Sequence, residues 1–155
     1  MLVSLLSYNT QLADHDVGQS LITEEVESIA ADLVQSTFDE FAELDFDATA
    51  DPVDENDLTP EAQFGGVAAW DDASDLDDLD GMTVTRHVVG AEGGTFDFVL
   101  GATVEYVEKD GDAWDDTGGS RSLFKQVTLT LWQPGADPAG PPAVVLRSVY
   151  AASGV

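Results

Sequence analysis

The spacing of apolar residues changes once along this chain, and that change limits the folds it can adopt. Up to about residue 46, apolar side chains recur every three or four positions, as on one face of an amphipathic helix. From Met82 onward they alternate with polar residues, as in strands that bury one face. A helical segment followed by a run of strands predicts an α+β domain.

Residues 1–46 are predicted to form a long N-terminal amphipathic helix. No proline interrupts the segment, and acidic residues occupy the side opposite the apolar face. One continuous helix and two shorter ones, restarting at Thr10 or Ser20, both fit the pattern. The apolar face comprises Leu21, Ile22, Val26, Ile29, Ala30, Leu33, Val34, Phe38 (or Thr37), Phe41 and Leu44.

Residues 82–155 are predicted to form a four-stranded antiparallel sheet with the helix packed on one face, all within one domain. The strands fall at residues 83–89, 96–106, 123–132 and 144–150, with turn-forming residues between them. In the third strand, Lys125 falls on the same face as Val127 and Leu129. Residues 47–81 are predicted to be an acidic connecting loop, anchored on the core by Phe64, Val67 and Trp70.

Charge is the second constraint on this sequence. It carries 31 acidic and 5 basic residues, a net charge of −26, yet 43% of its residues are apolar. Such a chain has enough apolar residues to fold, and its carboxylates tolerate one another best where concentrated salt screens them. We therefore predict a folded protein from a halophilic organism, destabilised at low salt.

The same composition excludes several classes of partner and site. A polyanionic surface repels the phosphates of nucleic acids and of anionic lipid headgroups, so neither is an expected partner. There is no cysteine, so thiolate chemistry and cysteine-ligated metals are excluded. The apolar run at residues 2–6 is too short for a complete membrane span, which needs about 20 residues.

No residue pattern identifies a catalytic centre or a cofactor-binding site. His15 and His87 lie in different predicted elements and are interpreted as structural or surface residues. The glycine pairs lack the spacing of phosphate-binding loops and are interpreted as hairpin turns. Nothing singles out one carboxyl group as an acid of raised pKa for glycoside hydrolysis. We therefore predict a protein that is not an enzyme.

The strongest candidate for a metal site is an aspartate-rich stretch that suits a hard cation such as Ca²⁺. Its candidate ligands are Asp72, Asp75, Asp78 and Asp80. The spacing differs from that of an EF-hand, because Leu79 occupies the third ligand position. A solvated or hydrogen-bonding loop is the alternative interpretation. A weaker acidic cluster comprises Asp110, Asp112, Asp115 and Asp116.

The order of parts and four short stretches resemble type IV pilins and pseudopilins, in particular minor pilins of the MSHA and PilV kind. The stretches are SIAADLVQSTFDEFAELDFD (28–47), AWDDASDLDDLDGM (69–82), FKQVTLTLWQPG (124–135) and VVLRSVYA (144–151). Pilins begin with a basic leader and a full apolar segment, of which residues 2–6 would be only the end. Either an upstream part is missing, or the chain is adapted to work without it.

The resemblance implies a non-enzymatic structural subunit of an extracellular filament at the cell surface. Its partners would be other subunits of the same assembly, held through the N-terminal helix by Leu2, Leu5, Leu6, Leu12, Val17 and Leu21. Two alternatives remain open: a structural protein of a virion or other non-pilus assembly from a halophilic host, and a small calcium- or ligand-binding domain. The cytoplasm of a salt-accumulating cell is the alternative location.

Overall fold

The computed structural model describes residues 17–48, 54–90 and 93–152, with side chains described from Glu25 onward. It contains one α-helix, α1 (Val17–Phe41), followed by strands of one antiparallel sheet. The strands are β1 (Thr83–Val89), β2 (Thr95–Asp110), β3 (Ala113–Asp116), β4 (Phe124–Trp132) and β5 (Val144–Ala151).

The sheet is built around its longest strand. Hydrogen bonds connect the strands in the order β1-β2-β4-β5, and β3 pairs only with the far end of β2. Because β2 spans 16 residues, it extends beyond the part that pairs with β4, and its last residues fold back as a hairpin with β3. Gly111 allows this tight turn, since its φ of 60° is unfavourable for other residues.

One face of the sheet carries the hydrophobic core. In β2, Phe98, Leu100, Ala102, Val104 and Tyr106 are buried in the period-two alternation that the sequence predicts, and the neighbouring Val107 is buried as well. In β4 the same alternation buries Lys125, Val127, Leu129 and Leu131. The register places Tyr106 beside Lys125 and Leu100 beside Leu131, so the two central strands form one continuous buried surface.

Helix α1 covers this surface with the apolar face predicted for it. Ala30, Val34 and Phe41 are buried there. The ring of Phe41 packs on that of Trp70 at 5.3 Å between centroids, which also fastens the connection to the helix. At the helix surface, Arg86 of β1 lies 3.2 Å from the Glu40 carboxylate.

The connection between helix and sheet consists of short 3₁₀ turns and extended segments. The turns are Glu55–Asp57, Glu61–Gln63, Trp70–Asp72 and Asp77–Leu79. Leu58, Leu76 and Leu79 bury their side chains, so apolar contacts hold the connection on the core. Where the helix ends, Asp45 forms an isolated parallel bridge with Asp75.

The predicted fold class, a long N-terminal helix on a four-stranded sheet, is wrong. The described sheet has five strands, and the described helix ends at Phe41 rather than at residue 46. Residues 1–16 of the predicted helix lie outside the described residues.

Each error has a physical reason. Strand β3 contains one large apolar residue, Trp114, within an acidic stretch, so the sequence shows no alternation of apolar and polar residues that would predict a strand there. At the helix end, Leu44 keeps the helical spacing from Phe41, but Leu44 and Phe46 pack on the core from bends that follow the helix. At Asp45 the backbone pairs with Asp75 in an isolated parallel bridge and does not continue the helix.

Candidate functional site

The four predicted calcium ligands are not gathered around one point. Asp75 Oδ1 accepts hydrogen bonds from the backbone N–H groups of Asp77 and Asp78, at 2.9 and 3.2 Å. Asp78 Oδ2 accepts from the backbone and hydroxyl of Ser74. Within the described residues, no three acidic or histidine side chains are arranged to hold a metal ion.

The remaining two predicted ligands are equally separate. Asp80 Oδ1 accepts a hydrogen bond of 2.9 Å from the Val104 N–H of β2, and Asp72 is exposed at the end of a 3₁₀ turn. Three of the four carboxylates thus satisfy backbone or hydroxyl donors, which agrees with the hydrogen-bonding alternative for this loop.

The weaker acidic cluster and the histidine lie at the protein surface. Asp110, Asp112, Asp115 and Asp116 are exposed along the β2–β3 hairpin. His87 is exposed on β1, with Nδ1 2.6 Å from Asp97 Oδ1 on the neighbouring strand. His15 lies outside the described residues.

The most unusual arrangement in the described structure surrounds Lys125, whose side chain is 0% exposed. Its Nζ donates hydrogen bonds to the Phe46 carbonyl oxygen at 2.6 Å and to Asp47 Oδ2 at 3.1 Å. It also forms an ion pair with Asp77 Oδ1. A lysine ammonium has three N–H donors, so these three oxygens match its capacity.

Aromatic rings enclose the same ammonium group. Nζ lies 4.4 Å from the centroid of Phe46 and 5.2 Å from those of Phe64 and Tyr106. Distances in this range give cation–π attraction, which is strongest where water is absent. We call Lys125, Asp47, Asp77 and these three rings the Lys125 cluster.

Three separate parts of the chain supply the charged groups of the Lys125 cluster. Strand β4 supplies Lys125, the segment after α1 supplies Asp47, and the 3₁₀ turn Asp77–Leu79 supplies Asp77. Gly65 holds that turn in place by donating its N–H to the Asp77 carbonyl oxygen at 2.7 Å. Its φ of +76°, and the Asp80 carbonyl oxygen 2.9 Å from where a Cβ would lie, require glycine at this position.

The two carboxylates of the cluster have different surroundings. Both oxygens of Asp47 accept hydrogen bonds from Thr59, at 2.9 Å from its N–H and 3.0 Å from its hydroxyl. Neither oxygen of Asp77 accepts a well-directed hydrogen bond from the described residues, although Oδ1 contacts Nζ as an ion pair. Asp47 is therefore the carboxylate better satisfied by hydrogen bonds, and Asp77 the less satisfied one.

Burial raises the pKa of the Asp77 carboxyl to about 7, although Lys125 acts in the opposite direction. A cluster of one lysine and two aspartates is neutral when Asp77 keeps its proton, and a neutral cluster avoids most of the cost of burying charge. The Tyr106 hydroxyl donates to the Thr59 carbonyl oxygen at 2.8 Å, and burial also raises its pKa. Burial in the cluster thus favours the protonated, uncharged forms of Asp77 and Tyr106.

Sequence reasoning placed Lys125 on the same face of its strand as Val127 and Leu129 but assigned it no role. The signal was present: a lysine stood at an apolar position in a chain with only 5 basic residues. Its partners carried no comparable signal, because Asp47 and Asp77 are two among 31 acidic residues.

The predicted assembly interface falls largely outside the structure described. Leu2, Leu5, Leu6 and Leu12 are not among the described residues, and Val17 and Leu21 are described only as backbone positions of α1. In the described part of the chain, no helix is long and apolar enough to cross a membrane. Comparison with protein-family models, curated proteins and solved structures finds no match for this chain.

Proposed function

We infer that this chain is a non-enzymatic structural subunit of an extracellular protein assembly in a high-salt environment, with a filament of the pilin kind as the favoured form. The observation that carries the inference is the closed Lys125 cluster. Its reactive groups, Lys125 and Asp77, are 0% and 6% exposed, so a substrate in solution cannot reach them. They connect parts of the fold to one another.

The surface also suits a subunit that is exposed to concentrated salt. Among the described residues, the large apolar side chains that stand exposed are Val89 and Val145, and they lie on strands at opposite edges of the sheet. Acidic side chains are exposed on the helix, the connection and the β2–β3 hairpin. A surface of this kind resists nonspecific aggregation and directs specific contacts to few places.

The order of elements supports the filament form of the proposal. In the part of the chain that the structure describes, a helix comes first, a connection follows and antiparallel strands come last. Among the described side chains, those packed on the core begin at Val26. In the filament form of the proposal, the predicted interface positions, which include Leu5 and Leu6, contact other subunits.

Immunogold electron microscopy of the source cells, using antibody against the sheet, tests this proposal. We expect label along extracellular filaments. We also expect a Leu5→Asp/Leu6→Asp variant to be lost from them, because charge in a packed helix interface is strongly unfavourable. The matched control, Val89→Ser, removes a side chain that is 69% exposed and should leave incorporation unchanged. Label confined to the cytoplasm, or equal incorporation of both variants, would count against the proposal.

A further inference from the structure

The Lys125 cluster brings an amine, a carboxyl group and a second carboxylate into contact inside the protein. We propose that Lys125 Nζ and Asp77 Cγ condense to an intramolecular amide (isopeptide) bond with release of one water molecule, and that Asp47 is the base that accepts a proton from the Lys125 ammonium. The proposal does not depend on the proposed function, because it rests on the contacts of this cluster alone.

Proximity is the first requirement, and the fold meets it. Nζ already contacts Asp77 Oδ1, so the carbon that would be attacked is one bond beyond the contacted oxygen. A regular strand holds Lys125, and Gly65 and Asp75 hold the turn that carries Asp77 through hydrogen bonds to its backbone. Groups fixed in contact in this way react as though at very high effective concentration.

The hydrogen bonds of the two aspartates decide which one is attacked. Asp47 is held as an anion by two donors of Thr59 and lies 3.1 Å from Nζ, a distance suited to proton transfer. Asp77 lacks such donors, and its raised pKa keeps it protonated up to near neutral pH. A carboxylic acid is attacked by an amine far more readily than a carboxylate, so Asp77 is the electrophile and Asp47 the base.

The step balances without any further reactant. The Lys125 ammonium gives one proton to the Asp47 carboxylate, and the free amine attacks Cγ of the Asp77 carboxylic acid. The C–N bond forms, the C–OH bond breaks, and the hydroxyl group takes a second proton from nitrogen and leaves as water. The products are a neutral amide, a neutral Asp47 carboxylic acid and one water molecule, and the total charge is zero before and after.

The surroundings favour the product. The reaction removes both buried charges, because the Lys125 ammonium becomes an amide and the Asp47 carboxylate becomes a carboxylic acid. This removes a desolvation cost that the Lys125–Asp47 ion pair only partly offsets. The rings of Phe46, Phe64 and Tyr106 shield the new bond from water and therefore from hydrolysis. The bond would join the acidic connection covalently to β4.

Mass spectrometry of the full chain, folded and incubated in molar KCl and then denatured, tests the proposal directly. We expect a mass lower than that of the sequence by one water molecule. Trypsin should then release peptides 1–86 and 122–147 joined to each other, because a modified Lys125 is no longer cleaved. Unjoined peptides and the full sequence mass after prolonged incubation of the folded chain would overturn the proposal.

Variants separate this bond from other losses of water. Lys125→Met should keep the full sequence mass, whereas Lys109→Met, at the exposed end of β2, should still lose one water. Asp47→Asn keeps the shape of the side chain but cannot accept the proton, so it should slow the loss at least tenfold. Succinimide formation at Asp80–Gly81 or Asp110–Gly111 also releases water, but it is reversed by mild alkali and joins no peptides. A mass loss that mild alkali reverses would therefore contradict the proposal.

Discussion

Replacing Lys125 by methionine is expected to lower the free energy of unfolding by about 3–5 kcal/mol, the usual cost of removing one partner from a buried ion pair. Methionine fills much of the same space but leaves Asp47 and Asp77 without a cation in a region closed to water. Where the proposed amide has formed, its loss adds to this effect. Chemical denaturation in molar KCl measures the change.

Two further variants show whether charge causes the loss. Lys109→Met removes an exposed lysine and should change stability by no more than about 0.5 kcal/mol. The triple variant Lys125→Met/Asp47→Asn/Asp77→Asn removes the buried charges together and should be more stable than Lys125→Met alone. Similar losses for Lys125→Met and Lys109→Met would show that the buried cation does not hold the connection to the sheet.

Transfer from molar KCl to 0.01 M salt is expected to lower the melting temperature by roughly 10 °C or more. In a domain of this size, a shift of about 2–4 °C corresponds to 1 kcal/mol of stability. The net charge of −26 is spread over a small surface. The Debye length grows from about 3 Å at 1 M salt to about 30 Å at 0.01 M, so repulsion then acts across the whole molecule.

Calorimetry over a series of KCl concentrations measures this salt effect, with sucrose as the uncharged comparison. Changing Asp110, Asp112, Asp115 and Asp116 to asparagine removes four exposed charges outside the core and should reduce the salt dependence. A melting temperature that is indifferent to KCl, or that rises equally with sucrose, would contradict the adaptation to salt.

Regular alternation was the part of the fold that could be predicted best. In β2 the apolar positions were predicted correctly, because both neighbours of this central strand are strands and one of its faces is fully covered. Strand β3 was missed because a hairpin at the sheet's end needs little apolar surface; only Trp114 packs, at 5.1 Å from the ring of Phe124. The extent of the helix was overestimated for a related reason: Leu44 and Phe46 reach the core without being helical.

The candidate site was beyond sequence reasoning except for one residue. The period placed Lys125 on the same face as Val127 and Leu129, but that position alone does not reveal its partners. Asp47 and Asp77 lie in a connection without periodicity, where nothing distinguishes a buried aspartate from an exposed one. The calcium interpretation illustrates the same problem, because Asp75 and Asp78 were grouped by proximity in sequence and instead bind nearby backbone groups.

Sequence by itself determined the properties that depend on many residues together: the acidity, the helix-then-strand order and the buried face of the central strands. These follow from charge count and from periods of 3.6 and 2, which act locally and need no knowledge of distant contacts. Tertiary structure alone decided the number of strands, the end of the helix and the pairing of Lys125 with Asp47 and Asp77. Those outcomes depend on which distant groups share a dry interior, where burial and hydrogen bonding together decide whether a carboxyl group keeps its proton.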